Sequence, residues 1–272
     1  MAKKQKRSSV QFLYETKTGR FLQNIFLFLH VPAILGFFLR SPLSSFAIKP
    51  FIKKHNIPMA EFEGVKFRTF NDFFTRKKEI TFDQEASHLI SPADSMMSLY
   101  PINEGSTFFV KGFNYTVKDL LQNQEAENLF TGGTCLVFRL RPTDYHRYCY
   151  IDSGKIGKNT FIPGSLHSVQ PEACKAYRVY TLNRRSWALI ETNNFGTVAQ
   201  IEVGAFSVGG IINHDENREV TKGSEKGYFD LHGSTIVVLF QKDKINLKPE
   251  LKEKLKSADE VQVKIGEWIG KA

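Results

Sequence analysis

Four short stretches of this sequence gather residues able to do chemistry. "SPADS" sets Asp94 in a Pro-led turn, and "RPTDYHRYCYIDSG" crowds Asp144, Tyr145, His146, Arg147, Cys149 and Asp152 together. "IPGSLHSVQP" places His167 after a glycine turn, and "HGST" puts Gly233 and Ser234 at the mouth of the β-branched run "STIVVLF". A serine hydroxyl becomes a nucleophile only when a base takes its proton. Imidazole titrates near neutrality and a carboxylate can orient it, so these residue types together suit nucleophilic chemistry. Each stretch also has a plainer reading. An Asp after Ser-Pro-Ala forms turns, a lone His is more often a satisfied partner, and Gly-Ser-Thr is a common strand entry. No CxxC pair or metal-ligand spacing links Cys135, Cys149 and Cys174, so no metal is expected.

These residues need a frame to position them. The apolar run "IFLFLHVPAILGFFL", Ile25 to Leu39, is shorter than the about 20 residues a helix needs to cross a bilayer. Pro32 in its middle predicts a kink there. Lys17, Arg20 and Arg40 flank the run, which predicts a helical segment lying in a membrane interface against anionic headgroups. A buried helix of the domain is the alternative. The text from Ile48 to Lys77 also reads as helical, with Asn71 as an N-cap. After Ser91, short apolar stretches alternate with Gly, Asn and Asp turns. "TCLVFRLRP", "FGTVAQIEVGAFSVGGII" and "STIVVLF" read as strands. One helix is expected over Val117 to Leu129, and "ADEVQVKIGEWI" reads as a last strand or helix. The fold class is therefore α+β. A helical, membrane-facing N-terminal part, residues 1–47, packs on a mostly antiparallel β core in residues 48–272.

A chain of 272 residues, 42% hydrophobic and 24% charged, suits a globular protein with a sizeable core. The net charge of +9 favours an anionic partner: nucleic acid, an anionic membrane or an acidic substrate. Charge is spread along the chain without the Arg/aromatic pattern of a nucleic-acid module, so nucleic acid is not expected. The cysteines lie in or beside apolar, strand-like text, which predicts reduced thiols in a cytosolic compartment. No cleavable apolar segment directly follows the basic start "MAKKQKRSS", so no secretory signal is expected.

Taken together and in order, "FNDFFTRK", "LISPADS", "VKGFNYTVKDLL", "DYHRY", "PGSLHSV", "VGAFSVGGI", "KGSEKGYF" and "GSTIVVLF" resemble the phosphatidylserine decarboxylases. The resemblance covers most of the chain. It implies an enzyme that carries no added cofactor and makes a pyruvoyl group by cutting itself between Gly233 and Ser234. Ser234 attacks the Gly233 carbonyl and converts the amide to an ester. Elimination then leaves dehydroalanine, which hydrolyses to the pyruvoyl group and ammonia. The products are a beta chain, 1–233, and an alpha chain, 234–272. The pyruvoyl carbonyl serves as an electron sink while the serine headgroup loses carbon dioxide, giving phosphatidylethanolamine. The implied partners are phosphatidylserine, an anionic membrane surface at the cytoplasmic face of the cell membrane, where the protein is peripheral, and a second copy in a homodimer.

The resemblance assigns the processing base to an Asp–His pair, with Asp94 at the aspartate position. Ser95 follows it where relatives carry glycine. Many relatives read Tyr-His-x-x-His, whereas here His146 is followed by Cys149. Because a thiol is a poor base for an alcohol, His167 is expected to supply the imidazole, with His232 beside the scissile bond as the competing candidate. His146 and Arg147 are expected to bind the substrate headgroup; an ion pair of Arg147 with Asp144 or Asp152 is the structural alternative. "NRRSW" puts Arg184 where relatives carry Glu. Two other functions remain open at this point: a pyruvoyl-dependent decarboxylase of a soluble amino acid, and an unprocessed membrane-binding protein.

Overall fold

The computed structural model describes residues 9–205, 210–231 and 234–272. His232, Gly233, the basic residues 1–8 and part of "VGAFSVGGI", residues 206–209, lie outside the described residues.

The fold is built around the strand Ser234–Phe240, in which every residue is buried. It pairs antiparallel on one edge with Gly196–Val203 and on the other with Thr134–Leu140. These belong to a sheet of nine strands among the described residues, which continues through Arg185–Thr192 on one side and Ser95–Pro101 on the other. Strand alternation sends side chains to two faces, and each face meets its own core. Val237 and Leu239 join Val137, Ile201 and Val203 under a layer of short helices. Ile236, Val238 and Phe240 join Leu136, Phe138 and Leu140 on the opposite face. A strand covered on both faces reads as a continuous apolar run rather than an alternating one, which is why "STIVVLF" is legible in the sequence. A smaller sheet of Arg147–Cys149, Glu225–Asp230 and Gly210–Asn213 covers this second face. The α+β class is as expected.

Several local expectations are revised. The helix expected over Val117 to Leu129 is two helices, Val117–Leu121 and Gln124–Leu129. Gln122 takes a left-handed conformation, and Asn123 starts the second helix by accepting a hydrogen bond from the Ala126 N–H at 3.0 Å. The N-cap of "NDFFTRK" is Thr69, not Asn71. Thr69 accepts from Asp72 N–H at 2.9 Å and Asp72 accepts from Thr69 N–H at 3.2 Å, a capping box. The N-terminal apolar run is two helices, α2 (Lys17–Phe28) and α3 (Val31–Leu39), following α1 (Ser9–Glu15). They bend by 61° at Leu29–His30, where His30 is left-handed at φ 54. Pro32 does not make the bend. It sits in the first turn of α3, where a missing N–H costs no hydrogen bond. Among the described residues, no single helix is long and apolar enough to cross a membrane, although α2 and α3 would pass that test together.

The two sheets are joined by a buried polar network. Lys226 of the small sheet and Glu202 of the large one, both fully buried, meet at 2.9 Å. Asn213 Oδ1 accepts from Lys226 Nζ at 2.9 Å, and its Nδ2 donates to Glu202 at 3.1 Å. Tyr148 Oη donates to the same Asn213 oxygen at 3.0 Å. Removing one charge from such a pair strands the other in the core. Lys226→Met is therefore expected to destabilise the protein by about 3–5 kcal/mol. Lys226→Met combined with Glu202→Gln should recover part of that loss. The midpoint of urea unfolding measures both.

Candidate functional site

Ser234 stands at the head of the central strand, opposite Leu140 on one side. On the other side the ladder closes with Val203 opposite Thr235, so Gly204 lies beside Ser234. The serine is fully buried and its Oγ has no hydrogen-bond partner among the described residues. An unpaired buried hydroxyl costs roughly 1–3 kcal/mol, and native structures rarely keep one without a use. The approach to it is strained. Leu231 has φ 65, a left-handed conformation unusual for a bulky side chain. Leu231 is held in an apolar cluster with Leu39, Phe70, Phe73 and Phe74, and its neighbour Asp230 pairs with Arg40 at the end of α3. Gly233 and His232 lie outside the described residues, so the scissile bond is located only by its flanks.

His167 is tied to the Gly204 side of Ser234 through Asn183. The "PGSLHSV" segment lies on the chain at 182–184, with Ser165 bridging Asn183. That approach requires Gly164, because a Cβ there would come within 2.5 Å of the Leu182 carbonyl oxygen. Asn183 is fully buried and acts as a clamp. Its Oδ1 accepts from the His167 N–H at 2.9 Å, while its Nδ2 donates to the carbonyls of His167 at 2.8 Å and Gly204 at 2.7 Å. His167 is thereby tied to the residue beside Ser234. Its ring stacks on Tyr177 at 4.8 Å, and Nδ1 is buried without a partner among the described residues. Burial pushes its pKa down, which favours the neutral imidazole, the form that accepts a proton.

His146 comes from the other flank. Its carbonyl accepts from the Phe229 N–H at 3.0 Å, two residues ahead of the strained Leu231. The ring packs on Phe74 at 4.0 Å. Nδ1 lies 2.9 Å from the Asp144 carbonyl oxygen. A carbonyl only accepts, so Nδ1 carries a proton and donates it there.

Asp94 does not join either histidine by a hydrogen bond among the described residues. Its Oδ1 accepts from the Ile265 N–H at 2.9 Å and its Oδ2 meets Lys264 at 3.3 Å. The next residue, Ser95, is level with Leu140, since Met96 pairs with Arg139. The Leu140 strand therefore separates Asp94's strand from Ser234, a spacing of about 10 Å at two strand widths. Asp94 and His167 flank the serine from opposite sides. Cys149 is fully buried against the Ser91 carbonyl, and burial pushes its thiol up to about 12. Arg147 is engaged elsewhere. It pairs with Glu225 at 2.7 Å and donates to the Thr75 carbonyl at 2.9 Å. The ion pair expected with Asp144 or Asp152 is instead with Glu225; Asp144 pairs with Arg141 and Asp152 accepts from Asn194. Arg184 is half-buried and makes no ion pair among the described residues. Its carbonyl accepts from Gly204 N–H at 3.0 Å, level with Ser234, and its Nε is buried without a partner. The Asn183 clamp went unnoticed in the sequence, because a polar residue before a strand carries no signal of which loop it holds.

A cavity of about 170 Å³ adjoins this end of the sheet. Leu140, Pro142 and Ala205 form one wall, Ser168 to Gln170 another, and Val10, Leu13, Tyr14 and Gln23 of α1 and α2 the roof. Among the described residues no group of His, Cys, Asp and Glu is arranged to hold a metal.

Residues 70–271 match the model of a family described as phosphatidylserine decarboxylase. The chain is 42% identical to phosphatidylserine decarboxylase proenzyme 2 of Clostridium acetobutylicum, over 98% of its own length and 93% of the relative's. It is 38% identical to a phosphatidylserine decarboxylase proenzyme of Clostridium tetani, over 96% and 91% of the two chains. Identity to the corresponding proenzyme of Desulfitobacterium hafniense strain Y51 is 35%, with 96% and 91% covered. With a family match across most of the length and a buried serine heading the central strand, the chain belongs to the phosphatidylserine decarboxylase family.

Proposed function

We propose that this protein decarboxylates phosphatidylserine to phosphatidylethanolamine with a pyruvoyl group made by self-cleavage between Gly233 and Ser234. The observation that carries the reading is the buried Ser234 hydroxyl, without a partner among the described residues, behind a strained Leu231. A keto group at position 234 also fits this place, since it removes the hydroxyl donor of Ser234, which has no partner among the described residues. When formed, the pyruvoyl carbonyl supplies the electron sink for loss of the carboxylate. His167 is the base for the cut: neutral, buried, and clamped to the residue beside Ser234. Asp94 acts one strand further off. It braces the turn at Lys264 and Ile265 against the strand that carries Ser95, so its part in processing is to hold the sheet edge. His146, with its Nδ1–H held by the Asp144 carbonyl, is assigned to the substrate headgroup. Arg147 has its charge compensated by Glu225, whereas Arg184, level with Ser234, makes no ion pair among the described residues, and we assign it to a headgroup anion.

The membrane reading follows from α1 to α3 and the 3₁₀ turn Pro42–Ala47. They expose Phe21, Phe28, Phe37, Leu43 and Phe46, a run of large apolar side chains that lies in a bilayer interface in this reading. Lys17 and Arg20 then meet anionic headgroups, while Arg40 is held by Asp230, and the protein sits peripherally at the cytoplasmic face.

Intact mass of fresh protein is expected to show two chains, 1–233 and 234–272, with Ser234→Ala leaving one uncut species without activity. A wild-type protein that stays whole with an ordinary serine at 234 sinks the reading. Followed over time, His167→Ala should stay largely uncut, while Cys149→Ser, whose thiol is held protonated, should cut at a near-normal rate. Because burial lowers the His167 pKa, the rate of cutting should fall only when pH drops below the ordinary imidazole range. In protein already cut, Arg184→Met should raise the Michaelis constant about tenfold, the loss of one charge-assisted contact. Arg147→Met should act on stability instead, visible in the thermal midpoint. Phe28→Ser with Phe37→Ser should weaken flotation on vesicles containing phosphatidylserine, and unchanged flotation would remove the membrane assignment.

A further inference from the structure

The helices α1 and α2 have two working faces. The outward one exposes Phe12, Phe21, Phe26 and Phe28. The inward one carries Tyr14 and Gln23, two polar residues that are almost fully buried. Gln23 Nε2 donates to Tyr14 Oη at 3.1 Å, and the Ser168 N–H donates to the same oxygen at 2.8 Å. Ser168 directly follows His167. The Tyr14 ring also meets His167 edge-on at 6.3 Å and Tyr177 at 5.8 Å, and Tyr177 stacks on His167. The His167 loop is therefore held from two sides. Asn183 fixes it to the sheet, and Tyr14 fixes it to the helices that carry the exposed apolar face.

Simple docking of α1 would need only apolar contacts, which Val10 and Leu13 already make. Burying a hydroxyl and an amide there costs free energy unless each finds a partner. The partner found is the one backbone N–H next to His167. If α1 lifts, Ser168 loses its acceptor, and the loop keeps the Asn183 clamp and the Tyr177 stack but not its tie to the helices. Each contact removed lowers the cost of opening a segment, so the seating of these helices affects how often the loop is in register.

We propose that Tyr14 is a positioning residue for His167, through which seating of α1 and α2 on a bilayer sets the geometry of the site. This rests on His167 as the processing base, as argued above. The coupling has a physical limit: a bilayer shifts the loop only by the difference in its affinity for seated and lifted helices.

Hydrogen exchange on the full chain tests this, comparing wild type with Tyr14→Phe, with and without vesicles of phosphatidylserine and phosphatidylcholine. Phenylalanine keeps the ring contacts and removes only Oη. Vesicles should slow exchange across residues 166–170 about tenfold in wild type, within the usual range of coupling between sites. Tyr14→Phe should exchange faster there and lose the vesicle effect while floating normally on the same vesicles. In cell-free synthesis with vesicles, Tyr14→Phe should cut itself about tenfold more slowly, again on the scale of such coupling. The acid limb of its pH profile should move to higher pH, because a looser loop lets water reach the imidazole. Identical exchange in the two proteins overturns the proposal, as does a loss of rate matched by a loss of flotation. A wild type that never cuts itself would sink the functional reading alone, since the exchange comparison still decides the coupling.

Discussion

The central strand leaves no edge and no face open to water, and this constraint shapes the whole site. Ser234–Phe240 is paired on both edges and packed on both faces, so the residue at its head inherits a fixed, dry position. Dryness matters to a hydroxyl. In water Ser234 would be one weak nucleophile among many hydroxyls. Here its Oγ is unpaired among the described residues and has no solvent to bond. A proton acceptor that reaches it faces little competition. The strand also fixes where such an acceptor must stand, because its two neighbours end at Leu140 and Val203. On that flank Asn183 ties the Gly204 carbonyl to the loop that carries His167.

The same burial sorts the candidate bases. Desolvation disfavours whichever form is charged. For His167 that keeps the imidazole neutral and ready to accept a proton. For Cys149 it keeps the thiol protonated and therefore idle. Two residues offered as alternatives by the sequence are thus separated by one physical effect acting on opposite charge types. Asp94 differs again. Its carboxylate is satisfied by the Ile265 N–H and Lys264, so it ties the C-terminal turn to the strand that begins at Ser95.

The N-terminal helices reach the site from outside the sheet at more than one point. Arg40 pairs with Asp230, Leu39 packs with Leu231, and Tyr14 accepts from Ser168. These contacts fall on the segments on either side of Ser234 in space, one leading into the strand and the other carrying His167. The helices therefore work as part of the site's frame as well as a surface.

The sequence by itself determined what depends on local pattern. The β-branched run "STIVVLF", the apolar strand text around it and the exposed Phe-rich helices are read from composition and period alone. The motif order pointed to the family, and with it to Gly233 and Ser234. Where local chemistry competes, the sequence was less decisive: Thr69 rather than Asn71 caps its helix, and His30 rather than Pro32 marks the bend. Partnerships between distant segments were decided only by the tertiary structure. Arg147 meets Glu225, Asp94 meets Lys264, and Asn183 clamps His167 because sheet pairing brings those segments together. Side-chain type sets what a residue can do, but sheet register sets whom it meets. Register is a property of strands far apart in the chain, and no single stretch of sequence encodes it.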